Sequence, residues 1–188
     1  MRRFALMLTL ALAFSVLASR VAAAQYTQEA LTGPFKFDLK MGPSLGAFDF
    51  SGTQFRLEPH FGFNLTPASP HHIYLDIPLG FGFGNNLTTI AILPGVEGDI
   101  ALPVGVPIYI EVLGGLGVAF FIPSFRNADT QTAFGIRFGV GVKYVLNGQW
   151  NFFFEPFNLE IYPVGLSAGP VNLTGGFFNL MFGAGINF

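Results

Sequence analysis

Residues 134–144 read FGIRFGVGVKY. Phe134, Ile136, Phe138, Val140, Val142 and Tyr144 alternate with Gly135, Arg137, Gly139, Gly141 and Lys143 without exception. A helix repeats every 3.6 residues and a strand every two, so this stretch specifies a strand with one apolar face and one small or charged face. Asn147-Gly148 follows, and after it a second alternating run from Trp150. That is the strongest short-range hairpin signal.

Working outward, the same period recurs. Phe35, Phe37, Leu39 and Met41 alternate with Lys36, Asp38, Lys40 and Gly42. Segments Phe55–Leu65, Ile73–Phe83, Ile90–Ile100 and Ile108–Phe120 behave alike, as does the last, Phe178–Phe188. Between Trp150 and Tyr162, Phe152 and Phe154 share a face with Phe157, Leu159 and Ile161 only if Pro156 sits in a bulge, a normal place for strand proline. Pro59, Pro78 and Pro94 also fall inside segments, and each is expected to mark a bulge or a strand end. The total is eight segments. Their links, Ser44–Gln54, Thr66–His71, Gly84–Thr88, Leu102–Val106, Ile122–Thr132, Leu146–Gln149 and Pro163–Asn172, are short enough for antiparallel hairpins throughout.

Of 188 residues, 51% are hydrophobic and 11% charged, against about 25% charged in soluble domains. Most of the surface must therefore face something other than water. The apolar content excludes disorder. The lack of cysteine removes disulfides, thiolate metal sites, thiol nucleophiles and a lipidated N-terminal cysteine. Nothing in the charge favours nucleic acid. Arg2 and Arg3, the apolar run Phe4–Leu17 and the small residues Ala22, Ala23 and Ala24 form a secretory signal peptide. This divides the chain into a signal peptide, 1–24, and one domain, 25–188. The stretch Ile161–Phe188 is uncharged, but Pro163, Pro170 and six glycines exclude a spanning helix. In a soluble sandwich the polar phase would be rich in Lys, Glu, Thr and Ser, whereas here glycine dominates it and the apolar phase is aromatic. The fold class expected is all-β, an eight-stranded antiparallel up-and-down transmembrane β-barrel with lipid outside. Tyr144 and Trp150, on either side of the Asn-Gly turn, are expected in an aromatic girdle.

The signal peptide, the eight segments and a last strand ending on Phe188 resemble the small eight-stranded outer-membrane β-barrels of Gram-negative bacteria. The resemblance implies export to the outer membrane, contact with its lipid, and a monomer. It also implies that the barrel assembly machinery reads the apolar phase of the last strand, here Phe178, Leu180, Phe182, Ile186 and Phe188. By the same analogy both termini are periplasmic, the links near Phe48, Phe50 and Phe125 are outside the cell, and no peptidoglycan-binding domain is expected after Phe188. Those aromatics are expected to cap the barrel mouth or meet headgroups.

The interior phase carries Lys36, Asp38, Lys40, Arg56, Glu58, Asp76, Glu97, Asp99, Glu111, Arg137, Lys143 and Glu155. Buried charges must be paired or hydrated. A hairpin centred near Asn127 would set Glu111 opposite Lys143. Asp76, Glu97, Asp99 and Glu111 are expected to share a small volume, either as a structural network completed by Lys36, Lys143 and Arg137 or as a cation-selective constriction. Inward glycines such as Gly80, Gly135 and Gly183 leave space that is either a channel or filled by Tyr74, Tyr109, Phe121, Phe153 and Phe177. Two functions follow: a structural, envelope-integrity barrel with a mostly filled polar interior, or a narrow cation-preferring pore. Catalysis is not expected, since His71 and His72 fall at a turn, His60 has no neighbouring inward serine, and Ser124 and Ser167 have no nearby histidine. Three histidines without cysteine give no metal-ligand spacing, and no cofactor is expected. Gly80, Gly82 and Gly84 end a strand with no helix after it, which is not a phosphate loop.

Overall fold

A computed structural model describes residues 33–48, 50, 52–103, 106–124, 129–166 and 175–188. The expected signal peptide lies outside the described residues. The chain forms β1 (Phe35–Phe48), β2 (Thr53–Asn64), β3 (His72–Gly84), β4 (Leu87–Ile92), β5 (Gly95–Ala101), β6 (Ile108–Pro123), β7 (Gln131–Leu146), β8 (Trp150–Gly165) and β9 (Gly175–Asn187). Apart from β4 and β5, neighbours in sequence pair antiparallel, and β1 pairs with β9, so the sheet is closed. Phe35 and Phe188 seal the seam at one end by exchanging backbone hydrogen bonds of 3.0 and 2.9 Å. We call this the near end and the opposite rim the far end.

β4 and β5 are two halves of one barrel strand. Both pair with β3 on one side and β6 on the other, in a single register on each: Leu79 faces Ile92 and Asp76 faces Gly95, while Ile92 faces Val118 and Gly95 faces Gly115. Leu93 and Pro94 interrupt the ladder without inserting a residue. Pro94 still accepts a 3.0 Å bond from the Leu116 amide, so it loses only the donor it never had. The closed sheet therefore has eight strand positions, as the alternation implies.

The expectation that each in-strand proline marks a bulge or an end needs correction at two positions. Pro59 and Pro78 lie within β2 and β3, whose register is continuous from Gln54↔Gly84 to Asn64↔Tyr74. The ladder drops pairs between Leu57 and His60, so proline costs hydrogen bonds there and not register. Pro156 does mark a bulge: the β8 register shifts between Glu155 and Asn158 against β9, and between the partners of Val140 and Val142 against β7. A second shift, opposite Phe134 and Ile136, falls at Pro163. The Asn147-Gly148 turn has φ of 52° and 68°, the left-handed values that the tight hairpin requires.

Strands also run further toward the far end than the alternation suggested. Pro43 pairs with Phe55 and Leu45 with Thr53, so the link expected from Ser44 to Gln54 shrinks to the residues between Phe48 and Thr53. Outside, the apolar phase is exposed: Phe61 (53%), Ile77, Phe138, Phe154 and Phe182 all point away from the barrel. In water such a surface is unfavourable, and in hydrocarbon it is the solvated face.

Because the β8 bulge is set by an extra residue and not by the proline ring, Pro156→Ala is expected to refold as the parent does. Deleting residue 156 would turn one half of β8 inside out, and the folded, heat-modifiable gel band should be lost. A deletion variant that folds normally would show that the bulge does not set the phase.

Candidate functional site: the barrel interior

All twelve charged residues of the interior phase point inward and are no more than 4% exposed. They form one connected ionic network along the barrel axis. Toward the near end, Lys143 Nζ lies 2.6 Å from Glu97 and 2.8 Å from Asp99, and Lys36 Nζ lies 2.5 Å from Glu97 and 3.0 Å from Asp38. The Tyr74 ring lies beneath both ammonium groups, at 4.8 Å from Lys36 and 5.6 Å from Lys143. At mid-depth Lys40 joins Glu111 and Glu155 and sits 4.9 Å from the Phe153 ring. Above it, Arg56 holds Glu58 at 3.0 Å and Glu160 at 2.5 Å, while Arg137 reaches Glu58 at 2.5 Å. His60 ties the layers together, with Nδ1 2.7 Å from Asp76 and Nε2 2.7 Å from Glu58.

The register corrects one expected pair. The β6–β7 hairpin is centred one residue earlier than assumed, so Lys143 faces Tyr109 and Glu111 faces Gly141. A shift of the centre by one residue moves every partner by two. Faces are therefore preserved while partners change. Glu111, opposite a glycine, reaches Lys40 of β1 instead, and Arg137 serves Glu58 instead of the near-end carboxylates. Two interior charges were absent from the sequence reading as network members. His60 has the inward phase of β2, and Glu160 follows Glu155 inward once the bulge is counted, so the same alternation could have found both.

At several inward glycines a neighbouring side chain takes the place a Cβ would occupy. A Cβ at Gly80 would collide with the Arg56 guanidinium, and one at Gly183 would meet the Phe153 ring at 2.6 Å. Side chains gather at each end. At the near end Tyr74, Tyr109 and Val145 pack together, with the His72 ring 6.3 and 6.0 Å from the two tyrosines. Asn151 and Asn187 exchange side-chain hydrogen bonds of 3.2 and 3.0 Å beside them. At the far end Ala91, Leu93, Ala119, Phe121, Ala133, Tyr162 and Phe177 form an apolar cluster against which the partly buried Phe50 and Leu87 pack. Phe48 is 70% exposed, and Phe125 lies outside the described residues.

Tyr144 and Trp150 stand on the outer surface beside the near-end turn, 40% and 50% exposed. Phe35 joins that rim, its ring 5.5 Å from Phe63 and 6.1 Å from Phe188. Phe178, Leu180, Phe182, Ile186 and Phe188 form one outward stripe of the last strand, extended by its terminal residue. His60, Asp76 and Glu97 bring ligand-type atoms within 4.8 Å of one another. The Lys36 ammonium already lies 3.7 Å from Asp76 and 2.5 Å from Glu97, occupying the place a cation would take. Among the described residues no serine is hydrogen-bonded to a histidine ring; His71 Nδ1 accepts the Ala101 amide, and His72 Nδ1 faces the Asn64 amide.

Removing one member of such a network strands its partner charges. Lys143→Met leaves Glu97 and Asp99 short of a cation and is expected to lower stability by about 3–5 kcal/mol. Lys143→Met with Asp99→Asn should recover part of that loss. Urea titration of the refolded barrel in one detergent, monitored by Trp150 fluorescence, measures both. Equal stability of parent and single variant would mean that water, not Lys143, solvates the carboxylates.

No family model matches the chain, and no curated protein matches it. Solved structures do. Neisserial surface protein A, NspA, aligns with a TM-score of 0.65 at 12% identity, over 83% of this chain and 98% of its own. The N-terminal β-barrel domain of Pseudomonas aeruginosa OprF aligns with a TM-score of 0.51 at 15% identity, over 81% and 97%. The outer membrane enzyme PagL gives 0.49 at 20% identity, over 80% and 99%. With the closed sheet, the lipid-type outer surface and the NspA and OprF alignments together, the chain has the fold of the small eight-stranded outer-membrane β-barrels of Gram-negative bacteria.

Proposed function

We propose that the protein is an integral outer-membrane barrel with a structural, envelope-integrity role and a closed, non-catalytic interior. In this reading the near end is periplasmic, the protein works as a monomer, and the outward stripe Phe178–Phe188 is read by the barrel assembly machinery during insertion. The observation that supports the reading is the succession of side-chain groups along the axis: tyrosines and an asparagine pair, then the ionic network, then the apolar cluster with Phe50 packed against it. The link lengths agree with it. The longest, between Gly165 and Gly175, has nine residues, which is little chain for a protruding recognition surface. A framework role needs only a lipid-matched outer face and a rigid inside.

A second reading, a narrow cation-preferring pore, is favoured by the charge balance. Among the described residues eight buried carboxylates (Asp38, Glu58, Asp76, Glu97, Asp99, Glu111, Glu155 and Glu160) line an interior with five lysines and arginines (Lys36, Lys40, Arg56, Arg137 and Lys143). An acidic excess of this kind attracts cations. It does not provide a passage.

Planar-bilayer recording of the refolded mature chain under a salt gradient tests the two. The closed barrel is expected to give no discrete conductance steps while its heat-modifiable gel band confirms the fold. Cation-selective steps that disappear in Glu97→Gln with Asp99→Asn would replace this reading with the pore.

A further inference from the structure

At the far rim the start of β2 and the β3–β4 turn enclose a cleft. Residues 52–54 form one side of it and residues 84–87 the other, around a space of about 170 Å³. Drug-sized ligands occupy pockets of about 300–1,000 Å³, so this one has room for a single small ring. Its lining carries no acidic, basic or histidine side chain. An ion held there would have no countercharge, which disfavours phosphate, sulfate, carboxylate and ammonium ligands.

Neutral polar groups converge on that space. Gln54, 6% exposed, has the inward phase of β2 and stands at the base. Its Nε2 donates to the Leu87 carbonyl at 3.2 Å and to Thr89 Oγ1 at 3.3 Å, and Thr89 Oγ1 donates to its Oε1 at 3.3 Å. These lengths are at or beyond the long end for such bonds, so a ligand hydroxyl can replace them at little cost, and Oε1 keeps a second lone pair. Glycine at 84 leaves a Cβ position 3.2 Å from the Leu87 carbonyl oxygen and 3.3 Å from that of Thr53, so two acceptors flank the same gap. Asn85 and Asn86, both exposed, add two amides at the mouth. Left-handed backbone does not call for them: among the described residues other than glycine, positive φ occurs at Phe48 and Asn147. The Asn86 carbonyl accepts the Ser124 amide at 3.0 Å, which ties the turn to the chain just past β6. Leu87, packed on the far-end cluster, supplies an apolar wall.

We propose that this cleft binds one neutral hexopyranose ring, either from a dissolved saccharide or from the headgroup of a glycolipid in the same membrane. Sugar hydroxyls both donate and accept, and the cleft offers both partners: the amides of Gln54, Asn85 and Asn86, and the carbonyl oxygens of Thr53 and Leu87. The C–H face of the ring lies against Leu87. One ring takes up the space, so recognition is of a single or terminal sugar and not of a run of residues within a chain. The site does not depend on whether the interior conducts.

The test uses the full mature chain in phosphatidylcholine nanodiscs, with the methyl glycosides of glucose, galactose and mannose as probes, followed by saturation-transfer NMR against empty nanodiscs. At least one glycoside should bind saturably. Gln54→Leu keeps the bulk and removes the amide at the base, and Asn85→Ala with Asn86→Ala removes the two at the mouth; each should weaken binding about tenfold. Methyl glucuronide, charged at neutral pH, should bind about tenfold more weakly than the best neutral glycoside. Absence of saturable binding for all three glycosides would overturn the proposal, and so would undiminished binding in the variants or a preference for the glucuronide. If Gln54→Leu fails to give the heat-modifiable band, the double asparagine variant decides by the same criteria. Adding a diacylglycerol that carries the best-bound hexose separates the two sources: suppression of the free-glycoside signal assigns the cleft to glycolipid, and an unchanged signal assigns it to dissolved saccharide. Bilayer conductance is a separate readout, so failure here leaves the closed-barrel reading as it stands.

Discussion

Everything in this molecule depends on closing the sheet. In hydrocarbon there is no water to satisfy an unpaired amide or carbonyl, so a sheet with free edges is not tolerated and a cylinder is. The reciprocal bonds between Phe35 and Phe188, and the ladder from Lys36↔Asn187 to Phe48↔Gly175, complete the ring. Once it is closed, the pleat assigns alternate residues to lipid and to the interior. Bulges at Pro156 and near Pro163 restore that assignment where β8 would lose it.

Closure creates the second problem, the contents. Eight strands enclose a narrow space into which alternate side chains point. Here they include thirteen permanently ionisable acidic and basic groups, the twelve expected and Glu160, together with His60. An apolar filling would leave an outside and an inside of like character, with little to specify which face turns outward. Charges resolve that ambiguity, because the wrong register would place Lys36, Arg56 or Glu97 in lipid at a cost of several kcal/mol each. The network is better understood as a device for facing than as a source of net stability, since buried ion pairs return little beyond their desolvation cost.

The sequence made the faces legible and left the partners obscure, for one reason. Facing is decided by parity, which a boundary error does not disturb, whereas pairing is decided by absolute register and by reach across the lumen. Eight strand positions, the Pro156 bulge and the inward placement of Glu97 all follow from parity. Glu111 was assigned to Lys143 by a hairpin centre one residue late, and its ammonium partner, Lys40, sits on β1, a strand not adjacent to β6. No pattern along the chain encodes a contact between opposite walls. The prolines show the converse limit: Pro59 and Pro78 advertise disruption, but a closed ladder on both sides holds their strands in register and absorbs the missing donors.

The side chains gathered at the two ends are carried by different parts of the chain. At the near end they are Tyr74, Tyr109 and Val145 with the Asn151–Asn187 pair, all carried on strands. Such side chains leave only if ladder hydrogen bonds break, and in lipid those bonds have no replacement. At the far end Phe50, which packs against the cluster, is carried on a link. The left-handed backbone at Phe48 costs conformational energy and packing of the Phe50 ring against Phe121, Tyr162 and Phe177 offsets it, so the two terms oppose each other within one short link.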